Sequence, residues 1–151
     1  MLEQGVIKWS IMSRPTIDIV IPTRDRLDLL QACIAAVENN SGDFAITITI
    51  VDNGSRDSST LNYFAATPHR VVSHPGPFNY AEIVNHGVGV GRNDVVVVLN
   101  NDTVVCPGWL DGLVPLATLA DVGVVGATLV SPSGEVQHAG MGAVPYPIEL
   151  P

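Results

Sequence analysis

The chain has 151 residues, enough for one domain with a buried core, and its 46% apolar against 15% charged residues exclude a disordered chain. Seven basic residues stand against 15 acidic ones, a formal charge of −8, which excludes nucleic acid as a partner because phosphate backbones are held by clustered Lys and Arg. An anionic ligand on so acidic a chain needs local help from a metal ion or from helix N-termini.

Residues 1–15 read as a leader or linker, and Met1–Ser13 lacks the continuous apolar stretch of a signal peptide. The domain is expected over 16–151. Ile17–Ile21 is a short β-branched run ended by Pro22, and Leu27–Asn39 is helical in period with Leu27, Leu30, Ile34 and Val37 on one face. Ala45–Val51 reads as a strand, Thr60–Ala66 as a short helix and Arg70–Ser73 as a short strand. Asn79–Val90 is a clear helix with Ala81, Val84 and Val88 toward the core, and Asp94–Leu99 is the strongest strand. Pro107 is placed to open a helix through Leu119 that Pro115 bends. Val122–Val130 reads as an apolar strand, Ser131–Gly134 as a turn and Val136–Gly140 as a hairpin return. Leu113–Val130 is apolar enough to raise the question of a membrane span, but Pro115, Asp121 and several glycines interrupt it.

Near-continuous apolar strands alternating with amphipathic helices imply an α/β, Rossmann-like, mostly parallel sheet with helices on both faces. Cys33 and Cys106 lie far apart outside any CxxC pattern and read as buried, reduced thiols of a cytosolic protein. His69, His74, His86 and His138 have no zinc-ligand spacing. Gly87-Val88-Gly89-Val90-Gly91 fails GxGxxG because position 92 is Arg, so close packing and helix termination explain its glycines.

In a parallel sheet, ligands bind outside the carboxyl ends of the strands. Three polar clusters follow strands: Pro22-Thr23-Arg24-Asp25, Asp52-Asn53-Gly54-Ser55 and Asn100-Asn101-Asp102-Thr103. Any one is ordinary turn and capping chemistry, but three at successive carboxyl ends converge on one crevice. Asp102, directly after a buried strand, suits Mg²⁺ or Mn²⁺ beside a ligand's phosphates.

These segments resemble family 2 glycosyltransferases of GT-A type. The resemblance rests on Ile19-Val20-Ile21-Pro22-Thr23-Arg24, Val51-Asp52-Asn53-Gly54-Ser55, Phe78-Asn79-Tyr80, Asn85-His86-Gly87 and Gly91-Arg92-Asn93-Asp94. It closes with the DxD-like Asn100-Asn101-Asp102 and runs on through Val136-Gln137-His138-Ala139-Gly140. The segment before Asn100-Asn101-Asp102 is most similar to bacterial members that build surface polysaccharides, rhamnosyltransferase-like ones included.

The resemblance implies a UDP- or dTDP-sugar donor, a divalent metal, a saccharide or lipid-linked acceptor and inverting transfer to its hydroxyl. It implies that Pro22, Thr23, Arg24 and Asp25 line the base and ribose pocket, and that Asp52 accepts from the pyrimidine N3–H. Arg92 and Asn85 are expected near the diphosphate, Asp102 on the metal, and Asn101 beside the ribose or metal. Asn-Asn-Asp in place of DxD leaves one carboxylate. The family's catalytic base lies in a later acidic motif, and past Asp121 the chain offers only Glu135 and Glu149. The acceptor half is therefore expected to be missing, and a cytoplasmic location is implied, with the full-length protein near the membrane surface. A nucleotide-sugar-binding module without turnover stays open as an alternative. So does a sugar-phosphate nucleotidylyltransferase, although Pro22-Thr23-Arg24-Asp25-Arg26 lacks that class's glycine-rich loop.

Overall fold

A computed structural model describes residues 14–140. The leader's first 13 residues and the stretch 141–151, with Glu149, lie outside the described residues. Strand β1 (Ile17–Thr23) is the centre of the molecule: Ile17, Ile19, Val20 and Ile21 are all fully buried. Burial of each such side chain contributes about 1.5–3 kcal/mol relative to leaving it in water. On one side β1 pairs in parallel with β2 (Ile46–Asp52), from Ile17 opposite Ile46 to Thr23 opposite Asp52. On the other it pairs in parallel with β4 (Val95–Val98), from Ile17 opposite Val95 to Val20 opposite Val98. Strand β3 (Arg70–Ser73) extends β2, giving the order β3-β2-β1-β4. The expected parallel α/β sheet is therefore present.

The strand alternation divides the core. Ile17, Ile19 and Ile21 of β1 with Ile48 and Ile50 of β2 face helices α1 (Leu27–Asn40), α2 (Ser58–Ala66) and α4 (Trp109–Ala117). Helix α1 supplies Leu30, Cys33, Ile34, Ala36 and Val37 to this layer, so Cys33 and Ala36 widen the predicted stripe, whose first member Leu27 is only half-buried. Val20 and Val51 point the other way and meet Ile83 of α3 (Tyr80–Val90).

Several boundaries moved for identifiable reasons. β1 does not stop at Pro22 but runs on to Thr23. Val20 O accepts from Leu99 N on the β4 side and Thr23 O accepts from Asn53 N on the β2 side. By the same alternation Pro22 faces beyond the end of β4, where a missing N–H costs nothing. Helix α2 begins two residues before Thr60 because the Asp57 carboxylate caps it, accepting from Thr60 N at 2.9 Å. Helix α4 starts after Gly108, whose φ of 78° is left-handed, so Pro107 precedes the cap rather than opening the helix. Pro115 stands in its last turn and the helix ends at Ala117.

The core face of α3 is a correction. Ile83 and Gly87 are buried, whereas Ala81 and Val88 are exposed and Val84 is half-buried. Gly87 sets this rotation, because it lets the helix backbone lie directly on Val20 and Val51. The expectation of strands buried on both faces also fails at β4, where Val96 is 40% and Val98 43% exposed. β4 is an edge strand among the described residues, and α3 packs against β1 and β2. The predicted strand Val122–Val130 shortens to β5 (Leu129–Val130), which pairs antiparallel with β6 (Val136–His138) across the turn. No described helix is long and apolar enough to cross a membrane.

A Cβ added at Gly87 would fall 2.5 Å from Val20 Cγ1 and 2.6 Å from Val51 Cγ2, both on stiff buried side chains. Gly87→Ala is therefore expected to destabilise the domain by about 1–3 kcal/mol in urea unfolding. An unchanged midpoint would show that α3 does not sit on the sheet in this way.

Candidate functional site

The chain order changes direction between β1 and β4: β1, β2 and β3 step one way, and the connection through α3 returns to the opposite side of β1. Such a switch opens a crevice at the carboxyl ends of the two strands. Here it is bridged by one hydrogen bond, Asn101 Nδ2 donating to Thr23 Oγ1 at 3.0 Å. Thr23 is buried at 5% exposure at the end of β1, and Asp52, its register partner, is buried at 8% at the end of β2. The loop after β4 is held from two sides. Tyr80 OH donates to Asn100 Oδ1 at 3.0 Å, and Asn40 Nδ2 donates to Val105 O at 2.9 Å. Asp102 is exposed on this loop.

The β2 side of the crevice is a hydrogen-bonded loop. Asp52 Oδ1 accepts from Ser55 N at 2.8 Å, and Gly54 takes the left-handed φ of 77° that the turn requires. Buried Asn53 donates through Nδ2 to His74 O at 2.9 Å, while its Oδ1 has no partner. Asp25 reaches across from the β1 loop, its Oδ1 accepting from Arg56 N at 2.7 Å and Asp57 N at 2.9 Å. These two backbone donors, that of Asp57 first, hold the Asp25 carboxyl below the usual carboxylate range. Exposed Arg24 and Arg56 put cationic side chains on the rim of this acidic molecule.

Of the predicted site residues, Pro22, Thr23, Arg24, Asp25, Asp52, Asn101 and Asp102 come together at the carboxyl edge. Arg92 does not. Its main-chain N–H, with those of Asn93, binds Asp18 at the start of β1, Arg92 N donating to Oδ2 at 2.8 Å and Asn93 N at 2.9 Å. Asp18 lies five residues before Thr23, so Arg92 belongs to the opposite edge of the sheet, about 16 Å away at ~3.3 Å per residue. The turn it occupies joins the end of α3 to the start of β4, which is necessarily the amino edge of a parallel sheet. Asn85 is exposed on the side of α3 opposite Ile83 and Gly87, away from the sheet and from the crevice. Its spacing from the buried pair by helical rotation is what separates it.

Sequence reasoning missed Asp18, and it named Ser55 and Tyr80 only inside motifs, with no role for either side chain. A signal existed for the first: a lone carboxylate inside Ile17–Ile21 is buried at 2% exposure and must be satisfied, here by the turn at Arg92 and Asn93. The motif Phe78-Asn79-Tyr80 gave no hint of the Tyr80 bond, since its partner Asn100 is 20 residues away. Cys106 corrects the expectation of two buried thiols, because it is exposed while Cys33 is buried. Trp109 packs half-buried against the main core as a cap near this loop, its Nε1 buried without a partner.

Residues 18–145 match the profile described as Glycosyl transferase family 2. The chain belongs to this family. A Myxococcus xanthus O-antigen biosynthesis protein, RfbC, is 32% identical over 139 residues, covering 89% of this chain and 11% of that protein. A Sinorhizobium fredii uncharacterized protein, y4gI, is 36% identical over 139 residues, covering 88% of the chain and 15% of that protein. The chain thus spans a small part of the length of these relatives. Among solved structures it is similar to the Pyrobaculum calidifontis mannosyltransferase PcManGT in complex with GDP-Man and Mn²⁺, with a TM-score of 0.63 at 18% identity over 80% of this chain and 37% of that one. It is also similar to S. aureus TarS 1-349, with a TM-score of 0.56 at 13% identity over 68% and 32%. The fold of this family 2 glycosyltransferase domain is accordingly of the GT-A α/β type.

Among the described residues no three His, Cys, Asp or Glu side chains gather as a metal cage. On the loop after β4 the exposed carboxylate is that of Asp102, and one such oxygen donor fits a hard cation only where water and ligand phosphates complete the shell.

Cys33 sits under this loop, its Sγ donating to Asn100 O at 3.5 Å. Burial, with the Asp102 charge second, pushes its thiol up to about 11. Iodoacetamide near neutral pH is therefore expected to modify Cys106 and spare Cys33, as peptide mass mapping would show. Equal labelling of both would mean that the loop over Cys33 opens.

Proposed function

We propose that this glycosyltransferase domain binds a UDP- or dTDP-sugar in the crevice between the ends of β1, β2 and β4. The supporting observation is the Asn101–Thr23 bond across the switch point, which brings the Asp52 and Asp102 loops to one opening. One Asp52 oxygen is taken by Ser55 N, and the other takes no hydrogen bond from the described residues. An ionised carboxylate only accepts, so it favours a base presenting an N–H, such as N3–H of uracil or thymine, and disfavours cytosine. Thr23 and Pro22 would flank the base and ribose. Arg24 and Arg56, both on the rim, are better placed than Arg92 to meet the diphosphate.

Asp102 would hold Mg²⁺ or Mn²⁺, with Asn101 beside it. When bound, the metal supplies charge stabilisation to the diphosphate leaving group. The donor's sugar would pass with inversion to a saccharide or lipid-linked acceptor hydroxyl, activated by a carboxylate base. We place that base outside this chain, since Glu135 sits on the exposed β5–β6 hairpin and neither Glu135 nor Glu149 stands in a second acidic motif. The chain alone would then bind donor without transfer. A peripheral, cytoplasmic setting for the longer protein belongs to the same proposal. Membership of the family sets aside the nucleotidylyltransferase alternative.

Calorimetric titration with UDP, dTDP, CDP, GDP and ADP tests the base assignment. Asp52→Ala should lower UDP affinity about ten- to a hundredfold, toward that of CDP. Stronger wild-type binding of GDP or ADP than of UDP and dTDP would overturn the pyrimidine reading. GDP is the informative competitor, because guanine also offers an N–H and PcManGT is described with GDP-Man.

For the metal, Asp102→Asn should remove the Mn²⁺-dependent gain in UDP or dTDP affinity while the circular dichroism spectrum stays unchanged. An equal gain in variant and wild type would exclude Asp102 as the ligand. Sugar transfer by the 151-residue chain, lost on Glu135→Gln, would show that its base is already present.

A further inference from the structure

We propose that Asp25 is a positioning residue for the Asp52 carboxylate, tying the loop after β1 to the loop after β2 so that both walls of the crevice hold one geometry. This rests on the donor-pocket reading above and assigns Asp25 a role other than ligand contact. The bonds form a continuous relay. Asp25 Oδ1 accepts from Arg56 N and Asp57 N, Asp25 N donates to Ser55 Oγ at 2.8 Å, and Ser55 N donates to Asp52 Oδ1 at 2.8 Å. The ring closes through the strands, where Asn53 N donates to Thr23 O at 2.9 Å, and through Thr23 Oγ1, which donates to Asp25 O at 3.4 Å. Asp57 in turn caps α2, so the same brace fixes where that helix begins.

The backbone is bent to make this possible. Asp25 and Arg26 both take left-handed conformations, with φ of 52° and 47°, although neither is glycine. That geometry is strained for an L side chain and persists only where surrounding bonds over-determine it. For Arg26 the compensation is local: its guanidinium pairs with Asp28 at 3.0 Å, and its carbonyl accepts from Leu29 N and Leu30 N. For Asp25 the compensation comes from the other loop, through three bonds to residues 30 to 32 positions along the chain. An oxygen already shared by two backbone N–H groups is poorly placed to serve a ligand as well. In this proposal its effect on a bound base passes through Ser55 to Asp52.

The chemistry distinguishes two substitutions. Asn retains one carbonyl oxygen able to accept from both Arg56 N and Asp57 N, whereas Ala retains none. UDP and CDP titrations are therefore run on wild type, Asp25→Asn, Asp25→Ala and Ser55→Ala, and again with Asp52→Ala added. Amide hydrogen exchange at Ser55, Arg56 and Asp57 is measured in parallel. Asp25→Ala should lower UDP affinity about tenfold and narrow the preference for UDP over CDP, while Asp25→Asn stays within about threefold of wild type. Ser55→Ala, which cuts the relay one link later by removing the acceptor of Asp25 N, should narrow the preference in the same direction. In the Asp52→Ala background neither change should cost further affinity. Additive losses in that background, or unchanged protection of the Ser55 amide in Asp25→Ala, would overturn the proposal. If wild type binds no nucleoside diphosphate, the donor-pocket reading fails. The brace is then upheld if the Ser55 amide loses protection in Asp25→Ala and refuted if it does not.

Discussion

Everything in the domain depends on the burial of β1 on both of its faces. Ile17, Ile19 and Ile21 face one helical layer and Val20 the other, and all are excluded from water. A strand so placed needs a hydrogen-bonded neighbour along each edge, which β2 and β4 provide in parallel register. Parallel pairing puts the carboxyl ends of all three strands on one side. The polar residues that leave the core there, Thr23, Asp52 and Asn101, have nowhere to go except one opening. The site follows from the way the core is assembled.

The same strand carries a polar anchor at each end, and the two do different work. Asp18, buried at the amino edge, collects the N–H groups of Arg92 and Asn93 and so fixes where β4 begins. Gly91 lies so close to it that a Cβ there would collide with Asp18 Oδ2. Thr23, at the carboxyl edge, receives Asn101 and fixes where the loop after β4 crosses the crevice. Both loops of β4 are thus registered against β1 by side-chain bonds, joined at the amino edge by Thr16, whose N and Oγ1 each donate to Asp94 Oδ2 at 2.9 Å. An acidic molecule can still offer cations to a diphosphate, because Arg24 and Arg56 sit on the rim and neither forms a salt bridge among the described residues.

The outer side of β4 is built differently. Val96 and Val98 are exposed, and by helical spacing Tyr80, Val84 and Val88 form the neighbouring flank of α3. Val124, Leu129, Val130 and Val136 in the segment that follows are exposed as well. A strand edge with open N–H and C=O groups beside an apolar strip is costly in water and prone to association. The described residues leave it uncovered, and the chain covers only 11% to 37% of the relatives and solved structures named above.

Much of this was written in the sequence. The β-branched runs, the apolar stripe of α1 and the polar clusters after three strands are local patterns, and short-range periodicity reports them faithfully. The motifs Ile19–Arg24, Val51–Ser55 and Asn100–Asp102 carried the family for the same reason: each is contiguous. What the tertiary structure decided were relations between segments. Arg92 stands in a family motif, yet the connection from α3 to β4 must lie at the amino edge, so it is far from the residues it was grouped with. Val84 and Val88 have the period of a buried face, but Gly87 rotates α3 by admitting Val20 and Val51 at contact distance. Asp25 reads as one more polar loop residue, and only the folded chain brings its carboxylate onto the backbone of Arg56 and Asp57. Periodicity fixes which residues share a face; which face meets which neighbour depends on close packing and on hydrogen bonds spanning 30 to 78 positions, and no local pattern contains them.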